Sequence, residues 1–235
     1  MPSQLKQLGS VVQMANTTIM DENTGHIAVT GLNMDLQFSD LALIYMGHRE
    51  SALVIGDACE GLTLPTVGKI TFLGYNWPDS APDQANALRG MVGRVFRRNN
   101  WVDYMSVFDS ILLPQLHHTK RPMEELEKEA RELSQMFGLP GIPTRRPGKM
   151  LETDLQRAAC VRAFMGRPRL LILEEPTRGL GEGFLPGLTK AIDTARAMGT
   201  AVLWFTQSDS IWRKPYVNCT YRFRAVGSGL VEAAA

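Results

Sequence analysis

Leu170-Leu171-Ile172-Leu173-Glu174-Glu175-Pro176-Thr177 is the stretch on which the fold turns. Four consecutive apolar residues leave no polar face, which in so short a run is the pattern of a strand buried on both sides within a parallel sheet. Two acids and a proline close it. The same pattern recurs at Leu41-Ala42-Leu43-Ile44, introduced by Asp40, and at Ala201-Val202-Leu203-Trp204-Phe205-Thr206. Helical stretches lie on either side: Leu151 to Met165, closed by Gly166 and Pro168, and Leu185 to Met198, stopped by Gly199. Strands alternating with helices predict a parallel sheet with crossover connections.

Working toward the N-terminus, Val92 to Phe96 and Gly68 to Gly74 read as further strands, and Ser51 to Cys59 as a weak helix ended by Gly61 and Pro65. Ser10 to Thr18, His26 to Thr30, and Leu32 to Phe38 with its alternating Leu32, Met34, Leu36 and Phe38 predict an early set of β-strands. From Ser106 the texture changes. Val107, Ile111 and Leu112, then Met123, Leu126, Ala130, Leu133, Met136 and Phe137, recur at helical spacing. Glu124, Glu125, Glu127, Lys128 and Glu129 between them form a solvated face. Gly138 to Gly148 is a loop by composition.

The chain has 235 residues, 44% hydrophobic and 21% charged, which is ordinary globular composition in one or two domains and excludes a disordered tail or a collagen. A net charge of +1 gives no bulk electrostatic case for nucleic acid. Three cysteines, Cys59, Cys160 and Cys219, share no ligand-like spacing and suit reduced thiols. The start lacks a signal-like apolar stretch and no window is long and apolar enough to span a membrane, so a cytoplasmic location is expected. The twelve methionines are scattered as core filler.

In its order of segments the chain resembles the nucleotide-binding subunit of an ABC transporter. The resemblance rests on Gly61 to Gly74, on Val95-Phe96 running to Asp109-Ser110-Ile111-Leu112-Leu113-Pro114, on Gln156-Arg157-Ala158-Ala159-Cys160-Val161-Arg162-Ala163, and on Leu170 to Thr177. It implies an α/β, P-loop NTPase-like ABC nucleotide-binding domain: a mixed-sheet core, an N-terminal antiparallel β layer and an inserted α-helical subdomain. It further implies one domain over 1–235, with 1–96 and 166–235 as the core and 97–165 as the helical subdomain.

The chemistry of that family is where this sequence departs. A phosphate loop needs glycine amides around the β-phosphate, a lysine for the β and γ oxygens, and a hydroxyl for magnesium. In the family it lies between the strand ending here at Ile44 and the glycine at Gly68, and the number of intervening residues is kept. Read without gaps, the lysine position falls on Ala52 and the hydroxyl position on Leu53. In the other register Gly47-His48-Arg49-Glu50-Ser51 imitates the end of the loop, with Ser51 as hydroxyl and Glu50 in place of lysine. Both registers remove the cation, and an acid ~4 Å from phosphate costs about 4 kcal/mol at an effective dielectric of 20. Arg49 or His48 could touch phosphate only as a surface contact without a cradle. No aromatic for stacking adenine is evident in Thr17-Thr18-Ile19-Met20.

The remaining stations change in the same direction. Arg97 stands where the family offers glutamine to the metal, and the glycine-rich signature becomes Met150-Leu151-Glu152-Thr153-Asp154. Glu174 takes the magnesium-binding aspartate position and Glu175 that of the general base; both also read as acids with ordinary solvent access at a strand end. Arg178-Gly179-Leu180-Gly181 replaces the dimer-contact loop, and Gln207 replaces the switch histidine but carries no proton. Glu174, Glu175 and Gln207 are therefore vestigial, as is the loop of Gly47, Arg49, Glu50, Ser51 and Ala52. His117 and His118 are weighed as a metal pair and set aside, so no metal and no cofactor are expected.

These changes point to a pseudo-ATPase acting as a structural or regulatory subunit on the cytoplasmic face of a membrane complex. Arg97, Arg98, Asn99, Trp101 and Tyr104 would form the docking surface for an integral membrane or permease-like partner, having the Trp, Tyr and Arg content of interface centres. A homodimer or an ABC-type heterodimer is also implied. Two alternatives stay open: an active but divergent ABC ATPase moving lipid or other hydrophobic cargo, which would use ATP and Mg, and a soluble regulator or filament-forming adaptor.

Overall fold

Two sheets divide the chain. The computed structural model describes residues 9–21, 25–47, 50–98, 100–213 and 218–233, the side chains of Glu50, Ser51 and Glu182 apart. The N-terminal layer is a four-stranded antiparallel sheet in the order β2-β1-β4-β5, from β1 (Ser10–Met20), β2 (Ile27–Gln37), β4 (Val67–Phe72) and β5 (Tyr75–Asn76). The larger sheet has six strands in the order β10-β9-β3-β8-β7-β6. Its members are β3 (Leu41–Tyr45), β6 (Val92–Val95), β7 (Leu170–Glu174), β8 (Ala201–Thr206), β9 (Tyr221–Val226) and β10 (Gly229–Glu232). All neighbours are parallel except the β9–β10 hairpin.

The three apolar runs behave as two-sided strands. Leu41, Leu43, Leu171, Leu173, Val202 and Trp204 face a core shared with the helices, while Ala42, Ile44, Leu170, Ile172, Leu203 and Phe205 face the core under the β layer. Period-two alternation thus feeds two cores at once, which is why no polar residue interrupts these runs.

Seven helices complete the described fold: α1 (Val54–Cys59), α2 (Pro82–Arg89), α3 (Val107–His118), α4 (Met123–Met136), α5 (Glu152–Phe164), α6 (Leu185–Ala197) and α7 (Asp209–Arg213). Ser106 caps α3 by accepting the Asp109 N–H at 3.0 Å. Helices α3 to α5 share the helix-side core through Ile111, Leu112, Leu126, Ala130 and Val161.

Several boundaries differ from the sequence reading. His26–Thr30 and Leu32–Phe38 are one strand that passes Gly31 in the left-handed region, φ +60°. The helical stretch from Ser106 splits because Thr119 turns to extended backbone (φ −131°, ψ 164°) and Pro122 takes the N-cap of the second helix, whereas Pro114 is carried inside the first. Ser51–Cys59 begins as a 3-10 turn over Glu50–Leu53 and becomes α-helical only at Val54. The α2 helix, with Pro82 in its first turn, and the β9–β10 hairpin were not read from the sequence.

Candidate functional site: a buried carboxylate cluster at the sheet's C-terminal edge

Parallel strands bring their C-terminal ends to one edge, where open α/β sheets place ligands. Here that edge gathers Tyr45 at the end of β3, Glu174 at the end of β7, Arg97 just beyond β6 and Gln207 just beyond β8.

The centre of this edge is filled by a side chain the sequence reading did not single out. Arg94, from the edge strand β6, lies inward with its side chain only 5% exposed. Its Nε donates to Glu174 Oε1 at 2.8 Å, and Nη2 donates to the same oxygen. Nη1 donates to Glu60 Oε2 at 2.5 Å and pairs with Asp57 Oδ1 at 2.8 Å. Asp57 lies on α1 and Glu60 at its C-terminal cap, so the guanidinium ties that helix to both strands. Helix α1 passes so closely that a Cβ on Gly56 would stand 3.0 Å from Arg94 Nη2 and 3.2 Å from Glu174 Oε1. The glycine leaves room for the pair.

Burial alone would lower the Arg94 pKa, but Glu174, Glu60 and Asp57 reverse this and raise it overall, so the guanidinium is a permanent charge. Burial pushes Glu60 above the usual carboxylate range even though Arg94 pulls it down.

The other oxygen of Glu174 is also taken: Oε2 accepts the Arg97 N–H at 2.9 Å. Glu174 is 3% exposed and Glu175 7%, so the solvent access expected of strand-end acids is corrected; both are enclosed by α1, the 97–98 turn and the end of β8. Glu175 adopts φ +48° and accepts the Gln207 N–H on Oε1. Gln156, on α5, fixes the turn from behind, its Nε2 donating at 3.2 Å to the carbonyls of both Glu175 and Pro176.

Burial raises the Glu175 pKa, opposed by the Gln207 N–H, Arg97 and Arg178. The folded state therefore binds this proton more tightly than the unfolded state, and stability falls as pH rises from the ordinary carboxylate value of ~4.3 through the raised one. Glu175→Gln keeps an acceptor for Gln207 and never ionises. Urea titrations are expected to show the variant more stable than the parent at neutral pH, with the gap closing toward pH ~4.

The loop after β3 is described in part. Gly47 takes φ +55°, and Met46 before it is buried with its N–H on the Thr206 carbonyl at 2.9 Å. Ala52, the lysine position of the ungapped register, is 3% exposed and belongs to the core beneath the β layer with Ile44 and Ile55. His48 and Arg49 lie outside the described residues, as do the side chains of Glu50 and Ser51.

At the start of α5, Leu151 holds the N-cap position without a side-chain cap bond and is 70% exposed, while Glu152 and Asp154 occupy the first turn. Those acids suit the helix dipole and oppose an incoming anion. Arg98 and Trp101 line an open cleft of ≈ 830 Å³ together with Met150, Leu155, Gln156 and Arg178. Trp101 is half-buried beneath the Arg162 guanidinium, 4.5 Å above its ring. Burial pushes Arg162 down to about 10. Tyr104 is 78% exposed and stands outside the lining, and Asn99 lies outside the described residues. His117 and His118 meet edge to face at 4.6 Å, and among the described residues no group of three or more His, Cys, Asp or Glu could hold a metal ion. No described helix is long and apolar enough to cross a membrane.

A mixed sheet with an antiparallel layer and an attached helical region, its strand ends gathered at one edge, defines a nucleotide-binding-cassette fold. The family model for ABC transporters matches residues 56–178, and the chain belongs to that family. The chain is 25% identical over 217 residues to the methionine import ATP-binding protein MetN of Geobacillus kaustophilus, an alignment covering 89% of this chain and 59% of MetN. It is 27% identical over 151 residues to the macrolide export ATP-binding/permease protein MacB of Chromobacterium violaceum, covering 64% of this chain and 23% of MacB. It therefore spans only part of these relatives' lengths. The dimeric structure of MJ0796, a bacterial ABC transporter cassette, superposes with a TM-score of 0.84 at 18% identity, over 94% of this chain and 97% of that one.

Proposed function

We propose that this chain is a cassette without nucleotide chemistry, a structural or regulatory subunit docked on the cytoplasmic face of a membrane complex and using neither ATP nor magnesium. The observation that carries the reading is the engagement of Glu174. A metal-binding carboxylate must offer an oxygen to the ion, and here Oε1 is held by Arg94 and Oε2 by the Arg97 N–H. A guanidinium beside the same oxygen also repels a divalent cation. Ala52 supports the reading, because a methyl in the core supplies no charge to a phosphate. So does the N-terminus of α5, where Leu151, Glu152 and Asp154 replace the small, neutral residues an anion needs.

The docking surface in this reading is the cleft beside Arg98 and Trp101, and its partner is a permease-like membrane protein. Homology to proteins named as ATP-binding favours the rival, an active divergent ATPase. Thermal or urea unfolding with and without millimolar Mg-ATP separates the two. A micromolar site would be stabilised by about 4 kcal/mol at a thousandfold excess over its Kd. The expected result is no shift and no phosphate release; a saturable shift, or hydrolysis abolished by Glu175→Gln, establishes the rival.

A further inference from the structure

From Arg97 to Tyr104 the described backbone has no helix or strand, yet Arg98, Asn100, Trp101 and Asp103 of this stretch line the cleft. Irregular backbone keeps one shape only where something over-determines it. At its far end the Met105 N–H closes a turn on the Val102 carbonyl at 3.1 Å. In the middle, Trp101 packs against the helix-side core beneath Arg162. At its near end the anchor is the Arg97 N–H on Glu174 Oε2.

That anchor depends on how Glu174 is turned, and Arg94 turns it. Nε and Nη2 both converge on Oε1, which leaves Oε2 facing the Arg97 amide. Two N–H groups of one rigid plane on a single oxygen hold that oxygen in place more closely than an ammonium's freely rotating donors would, and the Arg97 amide takes the other oxygen. The third nitrogen holds Glu60 and Asp57, so the same group clamps α1, which directly follows the loop after β3.

We propose that Arg94 is a built-in counter-ion that, through Glu174, fixes the Arg97 amide and so sets the near end of the cleft wall without any nucleotide. The inference rests on the reading of this site as nucleotide-free, and it adds the residue that replaces the switch. Arg94 is a positioning residue: it stands behind the surface and acts on it through Glu174 and the Arg97 amide.

The test is amide hydrogen exchange on the full chain, comparing the parent with Arg94→Met and Arg94→Lys. With Arg94→Met, exchange at the two bonded amides of the segment's ends, Arg97 and Met105, is expected to be roughly tenfold or more faster than in Ile192→Ala, a fully buried core variant of similar stability loss outside the cluster, while β7 and β8 exchange alike in the two variants. Arg94→Lys is expected to fall between, because it restores the charge but not the fork. Trp101 fluorescence should become more accessible to a neutral quencher in the same order. If Arg94→Met does not fold, Glu174→Gln supplies the measurement, since it keeps the side chain's shape and weakens the same anchor. A folded Arg94→Met variant whose protection at Arg97 and Met105 matches that of Ile192→Ala overturns the proposal, because the loosening is then only that of lost global stability. Mg-ATP binding to the parent chain would instead defeat the functional reading, and it is measured separately.

Discussion

Methionine in place of Arg94 is expected to lower the unfolding free energy by about 3–5 kcal/mol, the cost of removing one partner from a buried ionic network. The size follows from what remains. Glu174 and Glu60 have side-chain exposures of 4% and 12%, so neither is well hydrated once the guanidinium is gone. Asp57, at 40%, turns to water and adds little. The surviving acids repel each other, and protonating them at neutral pH costs free energy in turn. Urea unfolding followed by tryptophan fluorescence measures the loss, and an unchanged m-value would place it in stability, not in the compactness of either state. A second variant tests the cause: Arg94→Met combined with Asp57→Asn, Glu60→Gln and Glu174→Gln is expected to recover most of the loss, because no uncompensated charge is left. Arg94→Met within about 1 kcal/mol of the parent would show the network to be energetically idle.

This cluster also marks where the sequence stopped being legible. The two-sided strands were plain because their signal is local: each of Leu41–Ile44, Leu170–Leu173 and Ala201–Phe205 is an unbroken apolar run. The family resemblance came from the same runs together with the Gln156–Ala163 helix. Arg94 sits in Val92-Gly93-Arg94-Val95, where a single charge in a short strand reads as the solvent-facing half of an alternation. Its true surroundings depend on Glu60 and Glu174, which lie 34 and 80 positions away, a separation that local pattern does not span. Glu174 was recognised by type and position, but its engagement was not. Trp101 was singled out for composition, while its cover comes from Arg162 on another element. The Tyr221–Val226 strand went unread because Arg222 and Arg224 interrupt its apolar residues, and both arginines stack on Trp212 in the fold.

A methyl group at position 93 is the other change with a large expected cost. Gly93 lies in β6, one residue before Arg94, where helix α5 crosses the strand. A Cβ there would stand 1.9 Å from the Ala163 carbonyl oxygen and 3.1 Å from Leu171 Cδ2. The first contact is with helix backbone, so no rotamer change relieves it. Either α5 moves outward or β6 bends away from β7, with which Gly93 pairs opposite Leu171. Both routes damage the site. Moving α5 withdraws Gln156 from the Glu175 and Pro176 carbonyls, and bending β6 withdraws Arg94 from Glu174. Overpacking of this kind costs about 1–3 kcal/mol where side chains can yield. With helix backbone 1.9 Å away on one side and the Leu171 side chain on the other, Gly93→Ala is expected at or above the top of that range. The loss should be less than additive with that of Arg94→Met, because the first change already disturbs the pair that the second removes. Full additivity in the double variant would show that α5 gives way while the strand holds, leaving the Arg94 cluster intact.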